Sequence, residues 1–121
     1  ELSYIHAEGY AAGEMKHGPL ALIEDGIPVV VLAPKDRFFE KTISNMQEVI
    51  ARGGKVIMIT DDTSTIMNEN IRYKFQIPST NSSLNSFLLS IPIQFLAYHV
   101  ALLKNCDIDK PRNLAKSVTV E

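Results

Sequence analysis

Three side chains in this sequence have the chemistry for proton transfer and carbonyl attack: the carboxylate of Glu1, the imidazole of His17 and the amine of Lys116. An amine that has lost its proton can add to a carbonyl and form an imine. Lys116 lies in the closing stretch from Pro111 to Glu121, where Val118 and Val120 alternate with Thr119 and Glu121 like a short extended segment. Pro111 marks a sharp turn into Arg112-Asn113-Leu114-Ala115. A tail patterned in this way can dock, and docking over a pocket desolvates an amine and lowers its pKa. Each residue also has an ordinary reading: Glu1 as a surface carboxylate, His17 as a turn histidine at a helix end, Lys116 as a tail cation.

Other chemistries find less support. His6, His17 and His99 are far apart and show no His-x-x-x-His spacing, and the single Cys106 has no partner for a disulfide or a thiolate metal site, so no metal is expected. Lack of disulfides suits a reducing cytoplasm, with Cys106 in a structural role. Gly53-Gly54 precedes a strand rather than a phosphate-binding helix, and a G-x-S-x-G nucleophile elbow is absent. A net charge of -2 argues against nucleic acid and against a polybasic membrane patch. Six Gly and six Pro are near average usage, so no linker or repeat stands out and the chain reads as one soluble globular unit. It opens without Met or a signal sequence, in amphipathic text, and is read as a fragment of a longer protein.

The elements that must position these residues follow from apolar periodicity. From Glu1 to Tyr10 the pattern predicts the end of one helix and the approach to another. Ala11 to Ile23 combines helix formers with a Gly-Pro break that leaves His17 at a turn. Pro28 to Ala33 is a continuous apolar run, expected to be a parallel strand buried on both faces. Asp36 is the expected N-cap of a helix carrying Phe39, Ile43, Met46 and Ile50 on one face, and Gly53-Gly54 is its left-handed stop. Lys55 to Thr60 is a second buried strand, Asp61 to Ser64 a loop or helix start, and Ile71 to Pro78 a third, less buried strand. Leu84 to Leu103 carries no formal charge, yet Asn85, Ser86, Ser90, Gln94, His99 and Pro92 argue against a membrane span. A helix buried in a core or subunit interface is expected instead. The fold class is α/β with a parallel sheet, and three strands make a thin one.

The residues from Glu1 to Ile23, the run Gln94-Phe95-Leu96-Ala97-Tyr98-His99-Val100-Ala101, and the ending Lys110-Pro-Arg-Asn-Leu-Ala-Lys-Ser-Val-Thr-Val-Glu121 closely resemble the C-terminal end of the glucosamine-6-phosphate synthase family, the isomerising glutamine:fructose-6-phosphate aminotransferases. The resemblance spans the chain, and its closing motif is highly specific. The wider relatives are the sugar isomerase (SIS) domains. The resemblance implies a flavodoxin-like α/β/α sandwich in which residues 1–121 form most of the second SIS domain, without its first strand. The first SIS domain, with its Ser/Thr-rich phosphate loop, and the glutaminase domain would lie outside. A lysine that the family carries on the helix just before the position of Glu1 would lie outside as well.

The same resemblance implies roles. The residue matching Lys116 forms a Schiff base with the keto carbon of fructose 6-phosphate, and the residue matching Glu1 moves a proton between the first two sugar carbons. The residue matching His17 assists ring opening from the neighbouring subunit of a homodimer, and the backbone at Ala115 lines the sugar pocket. Glu8, Glu14 and Lys16 belong to the shared motif and are read as structural, with no role in the chemistry assigned. The implied product is glucosamine 6-phosphate, at the start of amino-sugar synthesis, with glutamine-derived ammonia as second substrate and neither metal nor organic cofactor. Alone, the fragment is expected to be inactive. Two other readings stay open: a non-catalytic sugar-phosphate-binding SIS module, for which this lysine ending is not expected, and a deglycase of fructosyl amines, which the ending supports less well.

Overall fold

The computed structural model of the chain describes residues 2–64 and 70–112. The described residues belong to two compact units, one being Gly9–Pro92 and the other combining Glu1–Glu8 with Ile93–Glu121.

In the first unit, 3-10 turns at Ala12–His17 and Pro19–Leu22 lead to strand β1 (Pro28–Leu32), helix α1 (Phe39–Ile50), strand β2 (Lys55–Thr60) and strand β3 (Ile71–Gln76). All three strands are parallel, in the order β1-β2-β3. Val29 lies opposite Val56 and Val31 opposite Met58. Between β2 and β3 the register shifts after Val56, which leaves Arg72 as the extra residue of a bulge. Strand, helix and parallel strand follow from two apolar runs separated by a helical period, as expected.

Alternation along the strands decides what each sheet face does. Val29, Val31, Val56, Met58 and Ile71 face the layer made by α1 and the 3-10 turns, where Leu20, Phe39, Ile43, Met46, Val49 and Ile50 complete the main core. The opposite face carries Val30, Leu32, Ile57, Ile59, Tyr73 and Phe75, by the same alternation. Only Ile59 among these is buried, in a small cluster with Ile77, Leu88 and Leu89. Val30 is 38% exposed, Leu32 39%, Tyr73 58% and Phe75 51%. The expectation that β1 is buried on both faces is therefore corrected. Among the described residues, β1 has a neighbouring strand along one edge, and its Val30 and Leu32 face is only partly covered.

Three further expectations change. Residues 4–11 contain no regular helix, and the helix formers from Ala12 to Leu22 make two 3-10 turns because Gly18, at φ 139°, breaks the run before Pro19. Phe38, not Asp36, is the residue flanking α1, and the Asp36 carboxylate instead accepts the Phe38 N–H at 2.8 Å, a local turn that sets up the helix start. Gly53 does stop the chain in the left-handed region, at φ 88°.

A 3-10 turn at Ser82–Leu84 leads into α2 (Asn85–Leu103), which holds Pro92 inside it. The unit boundary falls just after Pro92. The segment Ser82–Leu103 is long and apolar enough to cross a membrane by length and composition, and only 11% of its most apolar window is buried. Phe87, Ile91, Phe95, Leu102 and Leu103 are exposed. Among the described residues this helix is therefore not buried in a core, the first of the two expected environments. At its C-terminus the Cys106 N–H donates to Ala101 O and the Asn105 N–H to Leu102 O, both at 2.9 Å, with Asn105 at φ 53°. This is a Schellman ending with Asn in the position glycine usually takes.

Candidate functional site

Of the four residues singled out by sequence, His17 falls among the described residues, whereas Glu1, Ala115 and Lys116 lie outside them. His17 closes the 3-10 turn Ala12–His17 and is exposed. Its neighbours hold that turn on both sides. Met15 packs on the main core, and the Lys16 amine meets the Glu48 carboxylate of α1 at 2.6 Å. Leu20 is buried just beyond the Gly18 break. Lys16 thus gains a structural role, pinning the histidine turn to α1. His6 pairs with Glu8 at 3.0 Å on the surface.

In the other unit, the stretch that follows Glu1 is bound to the end of α2. The Ser3 side chain is buried and its hydroxyl donates to Ala97 O at 2.8 Å. The Lys104 amine donates to Ser3 O at 2.7 Å and Tyr4 O at 3.2 Å. Tyr4 has φ 50°, uncommon for a residue with a side chain. Its hydroxyl accepts the backbone N–H of Arg112, and the Arg112 guanidinium sits 4.4 Å from the centre of its ring. Between α2 and Arg112, Asp107 accepts the N–H groups of Asp109 and Lys110 at 3.0 and 2.8 Å and folds the connection into a tight turn. A cleft of about 400 Å3 opens here, lined by Tyr4, Lys104, Asp107, Lys110 and Arg112 among others.

A second polar cluster lies at the carboxyl ends of β1 and β2, where open parallel sheets characteristically bind ligands. The Lys35 amine reaches the Asp62 carboxylate at 2.9 Å, the Ser64 hydroxyl donates to both Asp62 oxygens at 2.9 Å, and the Asp62 N–H donates to Thr60 Oγ1 at 3.0 Å. The Lys35 N–H donates to Asp61 Oδ1 at 2.6 Å. Asp62 is 2% exposed, so its charge is taken out of water and held by these donors. The hydrogen bond and the negative charge of Asp62 raise the Lys35 pKa above the ordinary lysine value. The sequence pattern marks residues 61–64 as a loop or helix start and does not single out Lys35. The signal was available: polar residues directly follow two adjacent apolar strand runs. Among the described residues no group of three or more His, Cys, Asp or Glu is placed to hold a metal.

Against known proteins, the chain is similar over its whole length to the isomerising glutamine--fructose-6-phosphate aminotransferases of Rhizobium leguminosarum bv. viciae and Zymomonas mobilis subsp. mobilis, at 57% identity to each. It spans 20% of the length of each of these curated relatives. Among solved structures, the C-terminal domain of glucosamine-fructose-6-phosphate aminotransferase from Francisella tularensis superposes with a TM-score of 0.84 at 40% identity, over 90% of this chain and 31% of that one. The parallel sheet with its flanking helices is therefore the architecture of that domain in part. The profile of the SIS domain matches residues 1–104, most of the sequence, and the chain belongs to the SIS domain family.

Proposed function

We propose that this chain is the C-terminal part of the second SIS domain of an isomerising glutamine:fructose-6-phosphate aminotransferase, without that domain's first strand. The observation that carries this reading is the 57% identity, across the entire chain, to relatives bearing that name. In this reading the neutral Lys116 amine adds to the keto carbon of open-chain fructose 6-phosphate, and loss of water leaves a protonated imine. The imine withdraws electrons from the neighbouring carbon and makes its hydrogen acidic. Exchange of the lysine for ammonia leaves nitrogen on C2, and Glu1 carries a proton from C1 to C2, which gives the 2-amino aldose glucosamine 6-phosphate. The backbone at Ala115 lines the sugar pocket. His17, exposed on a turn that Lys16 and Met15 secure, assists ring opening in the site of a neighbouring subunit, so the working unit is a homodimer. The glutaminase and first SIS domains would supply ammonia and the phosphate loop, in a cytoplasmic enzyme that needs no metal or organic cofactor.

The test is borohydride reduction of the full-length protein in the presence of fructose 6-phosphate, followed by peptide mass mapping. Label is expected on Lys116. The Lys116→Arg variant should form no adduct and no product, because a guanidinium stays protonated and cannot become an imine. Label on Lys104 or Lys110 instead would overturn the assignment.

A further inference from the structure

The stretch next to Glu1 and the start of the stretch that carries Lys116 meet at one residue. Tyr4 grips Arg112 twice, through its hydroxyl on the Arg112 N–H and through its ring under the guanidinium. It does so from a left-handed backbone conformation at φ 50°, which a side chain such as tyrosine resists unless its surroundings impose it. The imposition is visible on both sides of the peptide: Lys104 donates to Ser3 O and Tyr4 O, and the Ser3 hydroxyl donates to Ala97 O. The last turns of α2 therefore act as a frame, and Tyr4 is turned out of it toward Arg112.

The Lys104 amine is used by two carbonyl oxygens and the Arg112 guanidinium lies on an aromatic face. The arrangement holds backbone to backbone.

We infer that Tyr4 is a positioning residue for the imine chemistry: its double hold on Arg112 fixes the starting point of the segment that delivers Lys116 to the stretch of chain that carries Glu1. This rests on the proposed function. Covalent reach makes the coupling short, since Glu1 and Tyr4 are three positions apart and Arg112 and Lys116 four, at most about 11 Å and about 14 Å of extended chain. Imine formation needs the reacting atoms in near-attack geometry, and misplacement by about 1 Å costs about a hundredfold in rate. A loosened anchor at Arg112 is therefore felt at the lysine even though Tyr4 need not touch the sugar.

The experiment uses the full-length protein with Tyr4→Phe, which removes the hydroxyl acceptor and keeps the ring, and the double variant Tyr4→Phe/Arg112→Lys, which also removes the planar cation. Three quantities are read on folded material: the rate of borohydride trapping at Lys116 with fructose 6-phosphate, kcat and KM for glucosamine 6-phosphate formation, and Tm. Tyr4→Phe should slow trapping and lower kcat by about tenfold, the double variant by about a hundredfold, with KM for fructose 6-phosphate within about twofold, because positioning of the attacking amine is lost while sugar binding remains. Arg112→Lys alone, which keeps the N–H to the Tyr4 hydroxyl, should recover most of the loss seen in the double variant. A purely structural role would lower Tm while leaving trapping and kcat per folded molecule at the unsubstituted level, and that result overturns the inference. If the unsubstituted protein traps at Lys116 and both Tyr4 variants match it, only the role of Tyr4 fails. If the unsubstituted protein forms no adduct at Lys116, the proposed function fails and takes this role with it.

Discussion

The Lys35–Asp62 pair shows how one residue's titration can be tied to the integrity of a loop pair. Lys35 is the partner nearer to water, with its side chain 61% exposed, while the Asp62 side chain is 2% exposed. Replacing Lys35 removes a cation from a carboxylate that cannot easily be rehydrated, so Lys35→Met is expected to lower Tm. The pH dependence has a defined sign. Asp62, through its hydrogen bond and then its charge, raises the folded-state pKa of Lys35 above 10.5. A raised lysine pKa adds stability that is fully present below the unfolded value and is lost as pH rises through the folded one. The Tm gap between the unsubstituted chain and Lys35→Met should be flat at neutral and mildly alkaline pH and should shrink only above 10.5. Thermal melts across that range check this, and a gap already closing near neutral pH would assign the effect to another group.

At the scale of elements, the turn that returns α1 to the sheet depends on glycine for two separate reasons. Gly53 has φ 88°, and a Cβ there would come within 2.8 Å of both the Asp25 Cα and its carboxylate oxygen. Gly53 O also accepts the Gly26 N–H at 2.9 Å, and Lys55 N–H donates to Ile27 O at 2.8 Å as β2 begins beside β1. A side chain would therefore disturb the approach of two chain segments as well as strain one torsion. Gly53→Ala is expected to destabilise by about 2 kcal/mol or more, whereas Gly9→Ala, with open space around the added carbon, should fall within about 0.5 kcal/mol of zero. Urea unfolding of both variants checks the contrast. Helix α2 presents a different situation. Its local signals are sound, with Asn81 accepting the Ser83 N–H just ahead of it and the Schellman pair after it, yet its apolar side chains are largely bare.

For the molecule as a whole, that bareness and the open face of the sheet point the same way. Val30, Leu32, Tyr73 and Phe75 on the sheet, and Phe87, Ile91, Phe95 and Leu103 on α2, are all exposed large apolar side chains. Fully burying an exposed side chain of this kind is worth about 1.5–3 kcal/mol, and a part of that is still to be gained at each, which favours an arrangement that covers them. The outer edges of β1 and β3 also lack a neighbouring strand among the described residues, and open edges invite pairing. We expect the 121-residue chain by itself to self-associate. Sedimentation velocity over a micromolar dilution series should show mass above 13.5 kDa that falls on dilution. A concentration-independent species of 13.5 kDa with well-dispersed amide signals would mean that the chain covers its own apolar surface.

What could be read from sequence was local. The runs Val29 to Leu32 and Val56 to Ile59, the helical repeat from Phe39 to Ile50 and the left-handed stop at Gly53 are each written within a dozen residues, because period and turn chemistry act between near neighbours. The closing motif around Lys116 is legible only as a resemblance, and its residues from 113 onward lie outside those described. What lay beyond reach depended on contacts distant in sequence. That Val30 and Leu32 of β1 are partly exposed, and that much of α2 is exposed among the described residues, depends on which partners are present, and an apolar run looks the same whether or not something covers it. The 3-10 form of Ala12–His17 is set by the Gly18 break together with packing of Met15 and Leu20 on the sheet, against residues whose propensity alone suggested an α-helix. The Lys35–Asp62 pair closes 27 residues and the Tyr4–Arg112 grip 108, and no periodicity links such positions. Only tertiary folding brings them together, because each contact needs two backbone segments distant in sequence to be placed side by side.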